Sequence, residues 1–302
     1  MNIRLFKWAD IEQFTYLVNA VQEIAEHPRG FSVHYMIEWL NRPGGDPELN
    51  CLLAETNQLI VGYSILVPET PIGRVVVEGG VLPNYRSSGV GEALLEATIS
   101  LSVKSGADVV HIPVQQNNQP SRSFLEQRKF SKVRTHHEMY WEGNSIPRPS
   151  LPSGFDIRSF RIGDELLLTQ LQNAAFNQSW GFCPNTVEEI TYQTRLSRCD
   201  SDGIIFITKD REAAAYCWTT SSEDANQVVG VISMTGVSPS YRGLGLGQIV
   251  LLEGMHHLRN QKEAKTIELS VDSENRPALL IYESAGFQVA SETIWYERDL
   301  SR

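Results

Sequence analysis

Cysteine is scarce in this chain of 302 residues, which contains only four, and no two of them form a C-x-x-C pair. Thiols this sparse and distant exclude a disulfide framework and a cysteine-based zinc site. Long apolar runs are also missing, since none approaches the ~18 residues that a membrane helix needs. Residues 1–10 show neither the apolar centre nor the small-residue cleavage pattern of a secretory leader. We therefore expect a cytoplasmic protein that has no membrane partner.

Positive charge is in short supply. Lysine and arginine together number 26, against 36 aspartates and glutamates, and the formal net charge is −10. Nucleic acid needs a basic surface, so these counts exclude it as a main partner. Histidine forms no metal-binding pattern: His136 and His137 do not begin an H-E-x-x-H sequence, and His256 and His257 lie ~100° apart on a helix. We expect no bound metal.

An internal repeat is the strongest feature of the sequence. Residues 3–10 (IRLFKWAD) return as residues 157–164 (IRSFRIGD). Residues 82–91 (LPNYRSSGVG) return as residues 238–247 (SPSYRGLGLG). Two matches in the same order, at nearly the same spacing, indicate duplicated domains rather than a solenoid.

The two copies share one predicted order of strands and helices, and a segment rich in proline and glycine separates them. The predicted domains are residues 1–142 and 154–302, joined by a linker at 143–153. In each copy a short strand precedes an aspartate, Asp10 or Asp164, which we expect to cap the first helix. Helices that alternate with the strands of a mixed sheet predict an α/β fold.

A glycine-rich segment follows the strand that comes after the predicted strand pair in each copy. Residues 242–247 read Arg-Gly-Leu-Gly-Leu-Gly, and residues 86–91 read Arg-Ser-Ser-Gly-Val-Gly. Glycine lets the backbone turn sharply and approach a ligand, and the N–H groups that open the next helix favour an anion such as a pyrophosphate. Walker A needs Lys-Ser/Thr after its last glycine, whereas Gln248 and Glu92 stand there. The segment is therefore a different phosphate-binding loop.

Two motifs then occur in register. The R-x-x-G-x-G motif is present twice, as Arg242, Gly245 and Gly247 and as Arg86, Gly89 and Gly91. The N-x-x-A-x-x-x-Y-x-x-x-G-F motif is present once, as Asn275, Ala278, Tyr282, Gly286 and Phe287. On these motifs the sequence resembles the GNAT superfamily of N-acetyltransferases, and its tandem layout is similar to the mycothiol synthase branch. The resemblance implies two tandem domains, each with a mixed, mostly antiparallel central sheet flanked by helices.

The resemblance also implies acetyl-CoA as cosubstrate. The backbone after Arg242 would hold the pyrophosphate, and the strand edge at Val237 would pair with the pantetheine amides. The implied binding residues of the second copy are Val237, Arg242, Gly243, Leu244, Gly245, Leu246, Gly247, Gln248 and Asn275. The matching residues of the first copy are Val81, Arg86, Ser87, Ser88, Gly89, Val90 and Gly91.

The resemblance assigns Tyr282 as the acid that protonates the leaving thiolate. Leu125 stands opposite Tyr282 in the first copy and cannot donate a proton, so we expect the C-terminal domain to be catalytic and the N-terminal domain to be non-catalytic. Relatives carry a glutamate base where this chain has Val231. Glu268 is the catalytic candidate in its place, and Asp272 or a water relay are alternatives.

His111 falls opposite Glu268 in the first copy, and we interpret it as a structural residue. The acceptor pocket is predicted after the first helix of the second copy, with Trp180 and Phe182 as its walls. These assignments favour an N-acetyltransferase that moves the acetyl group of acetyl-CoA directly to a small-molecule amine, since no motif for a covalent acyl-enzyme is present. A non-catalytic acetyl-CoA sensor and a protein N-terminal acetyltransferase are the alternatives.

Overall fold

A computed structural model describes residues 1–22, 30–224 and 227–301. The chain divides into two compact units: unit 1 comprises Met1–Val133 with Ile294–Arg302, and unit 2 comprises Arg134–Thr293. The predicted boundaries at 1–142, 143–153 and 154–302 follow the repeat along the chain and stay a prediction. Compactness instead groups residues 134–142 with the second unit and 294–302 with the first.

Unit 1 contains five strands in full and five helices among the described residues. The strands are β1 (Asn2–Leu5), β2 (Cys51–Thr56), β3 (Leu59–Glu69), β4 (Arg74–Val81) and β5 (Val109–Gln115). The helices are α1 (Ile11–Gln22), α2 (Val33–Leu40), α3 (Pro47–Asn50), α4 (Val90–Lys104) and α5 (Gln119–Glu126). The strands lie in the order β1-β2-β3-β4-β5; β4 and β5 are parallel, and the other neighbours are antiparallel.

Unit 2 repeats this arrangement. Strand β6 (Ser131–Trp141) reaches it from unit 1, and the further strands are β7 (Asp156–Ser159), β8 (Cys199–Lys209), β9 (Glu212–Asp224), β10 (Gln227–Val237) and β11 (Thr266–Asp272). The helices are α6 (Glu165–Phe176), α7 (Val187–Thr194), α8 (Leu246–Asn260) and α9 (Arg276–Ser284). The strand order is β6-β11-β10-β9-β8-β7, in which β10 and β11 are the parallel pair. The last strand, β12 (Gln288–Asp299), contributes residues to both units.

The predicted α/β fold with mixed, mostly antiparallel sheets is confirmed. Asp164 is the N-cap residue of α6, as predicted, but its side chain makes no capping hydrogen bond. The carboxylate of Asp10 binds the Arg4 guanidinium at 2.7 and 2.8 Å, and that of Asp164 binds the Arg158 guanidinium at 2.6 and 3.0 Å. A bidentate ion pair is stronger than a neutral capping bond, so the arginine two residues after the strand begins takes the carboxylate.

The sheet of unit 2 has two covered faces. Along β9, Ala215 and Cys217 pack with α8, whereas Tyr216 and Trp218 pack with α6 and α7, as the two-residue period of a strand requires. We call these the α8 face and the α6 face. Among the described residues, no helix has the length and apolar character needed to cross a membrane.

Candidate active site

Strands β10 and β11 pair over only part of their length. The parallel pairing runs from Val229 to Val231 on β10 and ends there, while β10 continues to Val237. The register of β10 with β9 also shifts between Ile232 and Met234, which marks a bulge just beyond the end of the pairing. Main-chain N–H and C=O groups on the facing strand edges are thereby left for another partner, such as an extended chain that contains amides.

The glycine-rich segment begins where β10 ends. Gly243 and Gly245 have φ values of +82° and +75°, in the left-handed region that side chains disfavour. No atom lies within 4 Å of a Cβ placed at either residue, so the backbone conformation rather than crowding requires glycine. At Gly247 a Cβ would lie 3.2 Å from Ile281 and 3.4 Å from Val237. The lack of a side chain therefore lets α8 lie close to β10 and α9.

Helix α8 opens without a side-chain cap, because its N-cap residue is Gly245. Its helical hydrogen bonding begins with Ile249 N–H to Gly245 C=O at 3.3 Å. The earlier N–H groups have no acceptor within the helix, and the helix dipole adds positive potential at the same end. These groups favour an anion such as a diphosphate.

Three other predicted cofactor-binding residues have structural partners. Arg242 donates from Nη2 to the Ala175 carbonyl at 2.8 Å, which ties the glycine segment to α6. Gln248 lies 3.5 Å from the Ser284 hydroxyl of α9. Asn275 caps α9 through its Oδ1, which accepts from Ala278 N–H at 3.3 Å. Their contacts with a cosubstrate stay a prediction.

Tyr282 lies on α9 in the α8-face core. Its side chain is 7% exposed, and its ring meets Phe287 edge-on at 6.0 Å. Burial, and secondarily the Cys217 thiol of β9, raise the pKa of the Tyr282 phenol well above its usual value. The phenol therefore stays protonated at neutral pH, which suits a proton donor. Gly286, at φ +94°, ends the helix in the left-handed conformation that explains the glycine of the motif.

The α6 face collects polar side chains beyond the glycine segment. On β11, Ile267, Leu269 and Val271 pack in the α8-face core, so Glu268 and Asp272 point to the opposite face. Asp272 Oδ2 lies 3.7 Å from Arg134 Nε, and Asp272 Oδ1 accepts the N–H of Glu274 at 3.0 Å. Asp272 is therefore engaged in an ion pair and a turn.

Strand β6 adds His136, Glu138 and Tyr140 to the same face, opposite Asp272, Ser270 and Glu268 of β11. Burial lowers the pKa of His136, so its imidazole is neutral at neutral pH. Sequence reasoning missed Glu138, because β6 belongs to the first copy of the repeat and its pairing with β11 has no sequence signal.

The two predicted pocket walls differ in position. The ring of Trp180 meets His136 edge-on at 6.2 Å, and the Arg134 guanidinium lies over it at 5.3 Å, so Trp180 covers the polar part of the α6 face. Phe182 stacks on Phe176 of α6 at 5.9 Å and packs the loop against its own helix. Trp180 thus lies beside the polar side chains of the α6 face, whereas Phe182 packs on α6. Their roles as walls of an acceptor pocket stay a prediction.

Comparison with known families assigns this fold and these motifs. The model of the acetyltransferase (GNAT) family matches residues 12–130 and 166–287. The chain belongs to the GNAT family and is an N-acetyltransferase. Enzymes of this family use acetyl-CoA as acetyl donor. The uncapped α8, the left-handed glycines and the parted strands fit such a molecule.

Curated relatives and solved structures support the same assignment. A mycothiol acetyltransferase of Thermomonospora curvata is 29% identical over 82% of this chain and 81% of its own. One of Stackebrandtia nassauensis is 27% identical over 86% of each chain. A GCN5-related N-acetyltransferase of Sphaerobacter thermophilus superposes with a TM-score of 0.76 at 22% identity, covering 99% of this chain and 95% of its own. A tandem GNAT protein of clavulanic acid biosynthesis has a TM-score of 0.76 at 15% identity, covering 99% and 98%.

Unit 1 of this GNAT enzyme has the same loop with different side chains. Ser87 and Gly89 adopt φ values of +58° and +87°, and Gly89 begins α4 without a side-chain cap. Arg86 donates to the Val81 carbonyl at 3.1 Å. Leu125, opposite Tyr282 in the repeat, is buried. Binding of a cosubstrate by this loop stays a prediction.

His111 of unit 1 has partners on both ring nitrogens. Arg74, which can only donate, lies 3.4 Å from Nδ1, so Nε2–H donates to Glu297 at 2.7 Å. Burial lowers the pKa of His111, in keeping with a neutral ring. Among the described residues, no group of three or more His, Cys, Asp and Glu side chains is placed to hold a metal ion.

Proposed function

We propose that unit 2 transfers the acetyl group of acetyl-CoA to the amine of a small molecule by direct attack. The observation that supports this best is the continuity of the parted β10 edge with the uncapped start of α8. An extended molecule with amides along its length and a diphosphate at its end matches both features together.

In this proposal the N–H groups of residues 243–248 bind the pyrophosphate, and the β10 edge up to Val237 pairs with the pantetheine amides. The thioester then lies in the gap between β10 and β11. The acceptor reaches it from the α6 face, beside Trp180, while Tyr282 stands on the α8 face.

The chemistry follows from these positions. The amine lone pair attacks the thioester carbonyl, and a strand N–H near the bulge stabilises the oxyanion that forms. The attacking nitrogen loses a proton to a base or to water, the C–S bond breaks, and the thiolate takes the phenol proton of Tyr282. A free thiol has a pKa of ~8.5, well below that of the buried phenol, so full transfer is uphill and the phenolate regains its proton from solvent.

The acceptor class comes from the relatives. Proteins named mycothiol acetyltransferase match more than four fifths of this chain. We propose that this chain acetylates a small-molecule amine similar to the acceptor of those relatives. Val231 places an aliphatic side chain where the resemblance implies a base, so another residue has to take the proton of the amine.

Release of free thiol from acetyl-CoA, measured across a panel of mycothiol-type acceptors, amino sugars, polyamines and amino acids, tests this proposal. We expect turnover on at least one amine, and a large loss of turnover in Tyr282→Phe. Tight acetyl-CoA binding by calorimetry with no turnover on the whole panel would overturn the small-molecule amine as acceptor.

A further inference from the structure

Proton removal from the acceptor has no residue assigned on β10, where Val231 lies at the point at which the strands part. We propose that Glu138, on the neighbouring strand β6, is the catalytic base and that Ser270 and Thr293 are its positioning residues. The inference rests on the proposed acetyl transfer in unit 2.

The register places Glu138 beside the gap. Glu268 is the last residue of β11 that pairs with β10, and Ser270 lies two residues further, where the strands have parted. Glu138 is paired with Ser270. Neighbouring strands are ~4.8 Å apart, so the main chain at Glu138 stands about one strand spacing from the edge of the gap, and the side chain contacts Ser270 on that edge. It points to the α6 face, opposite the side from which Tyr282 acts.

The hydrogen bonds of Glu138 fix one carboxylate oxygen, Oε1, and leave the other, Oε2, available to a substrate. Oε1 accepts from Ser270 Oγ at 3.1 Å and from Thr293 Oγ1 at 2.9 Å. Within the described part of the chain, Oε2 has no hydrogen bond or ion pair. Two neutral donors hold the carboxylate without neutralising its charge, so it is oriented before a substrate arrives. Asp272, by contrast, is engaged by Arg134.

The surroundings of Glu138 indicate the class of acceptor. Tyr140 and the neutral His136 flank it on β6, and Glu268 and Asp272 face it from β11. Arg134, on the same face of β6, pairs with Asp272 and Glu274, and Glu292 of β12 lies by His137 instead. The carboxylates of Glu138, Glu268 and Asp272 share this face. Such a surface favours an acceptor that arrives as a primary ammonium ion.

The proton balance is as follows. The ammonium group loses one proton to Glu138 Oε2, directly or through a water, and its lone pair then forms the C–N bond. Glu138 passes this proton to solvent, and the nitrogen of the tetrahedral adduct then loses a second proton by the same route. The C–S bond breaks, and the thiolate leaves as the thiol with a proton from Tyr282. One amide, one thiol and one net proton are produced, and no further reactant is needed.

The first test is Glu138→Gln, which keeps the size of the side chain and removes the base. General-base catalysis is worth ~10²–10⁴-fold, so we expect kcat to fall at least ~10²-fold while the KM for acetyl-CoA changes less than about threefold. The matched control is Glu142→Gln, since Glu142 follows the same strand and also accepts a hydroxyl hydrogen bond, from Thr266 at 3.1 Å. We expect this control to keep wild-type kcat.

Chemical rescue distinguishes a base from a structural residue, because an added base can restore the kcat of a variant only where a base is missing. Added formate should restore part of the kcat of Glu138→Ala and leave wild type and Glu142→Gln unchanged. Ser270→Ala and Thr293→Val should lower kcat by smaller factors, because each removes one of the two donors.

The outcomes separate the inference from the proposed function. An active wild type with a Glu138→Gln kcat within about threefold of it overturns the inference and leaves the acetyltransferase proposal standing. A Glu138→Gln variant that loses acetyl-CoA binding by calorimetry, together with no formate rescue of Glu138→Ala, makes the residue structural and also overturns the inference. A wild type with no turnover on any amine overturns the proposed function, and the base falls with it.

Discussion

The two glycine loops have one backbone geometry and different charges. In both, a left-handed glycine begins a long helix without a side-chain cap. The third residue of the helix is Gln248 in unit 2 and Glu92 in unit 1, where the carboxylate pairs with Arg128 at 3.0 Å. An acidic side chain at a helix N-terminus takes the place that favours an anionic ligand. The loop is thus present in both units, and the first helical turn carries a carboxylate in unit 1 but none in unit 2.

The units also differ at the position of the acid. Tyr282 and Leu125 occupy matching places, on α9 and α5, and both are buried. Either side chain fills the space under the helix, so the fold accepts a phenol or an aliphatic group there. The chemistry does not, because leucine cannot donate a proton. Packing has thus preserved both helices, while the proposed proton donor is present in only one of them.

The largest expected effect concerns the chain segments that make up unit 2. A fragment of residues 154–302 lacks β6, and with it Met139 and Trp141 of the unit 2 core. Losing two large buried side chains costs ~5–10 kcal/mol, comparable to the whole stability of a domain. We expect this fragment to show no cooperative thermal unfolding, whereas a fragment of residues 134–302 should show it. Equal unfolding transitions for the two fragments would contradict the assignment of β6 to unit 2.

The next expected effect concerns Tyr282 and the matching Leu125 of unit 1. Tyr282→Phe removes the proton donor without changing the packing, and we expect kcat for thiol release to fall ~10²-fold or more. The matched variant is Leu125→Tyr in unit 1, which should leave kcat unchanged and should not create a second activity. Wild-type turnover in Tyr282→Phe would show that the thiolate leaves without this phenol.

A smaller effect is expected from alanine substitutions in the two glycine loops, at Gly245 and at Gly89. An alanine in the left-handed conformation costs ~1–2 kcal/mol, which is about tenfold in affinity at its midpoint. We therefore expect Gly245→Ala to weaken acetyl-CoA binding about tenfold by calorimetry and Gly89→Ala to leave it unchanged, with one molecule bound per wild-type chain. Two equivalents in wild type, one of them lost in Gly89→Ala, would assign a second cosubstrate site to unit 1.

The smallest effect is on the alkaline side of the pH profile. The pKa of Tyr282 is raised in the folded protein, so the phenol remains protonated above its usual value of ~10. We expect kcat to show no loss from phenol ionisation between pH 7 and pH 10. The same shift stabilises the fold fully below pH ~10, and this contribution is lost as the pH rises further. A decline in kcat centred near pH 9 that Tyr282→Phe removes would contradict the burial argument.

Much of the fold was predictable, because the repeat, the glycine segments and the strand periodicity are local in sequence. The short helices α2, α3 and α7 were missed, since helices of 8, 4 and 8 residues show little periodicity. Their signals are instead in the caps, such as Thr186, whose hydroxyl accepts from Glu189 N–H at 3.2 Å. The aspartates at the first helix of each unit were assigned a capping role, because proximity in sequence does not reveal a paired arginine.

The candidate site divides in the same way. Arg242, Gly245 and Tyr282 belong to motifs that lie within one stretch of chain, and the sequence was enough to place them at a loop and on a helix. Glu138 was not predictable, because its partners Ser270 and Thr293 come from strands more than 130 residues away. From the sequence alone, a polar residue in a strand is interpreted as a side chain exposed to solvent, because its neighbours on other strands are unknown.

The amino-acid pattern alone is enough to predict a duplicated α/β protein with a phosphate-type loop in each copy and one helix motif that carries a tyrosine. Local backbone preferences produce these features, since glycine, proline and apolar spacing act over a few residues. That residues 134–141 complete unit 2 and residues 294–302 complete unit 1 is visible only in the assembled sheet. Strand pairing joins residues distant in sequence through main-chain hydrogen bonds, which every residue except proline offers equally, so the choice of partner strand is made when the whole sheet assembles.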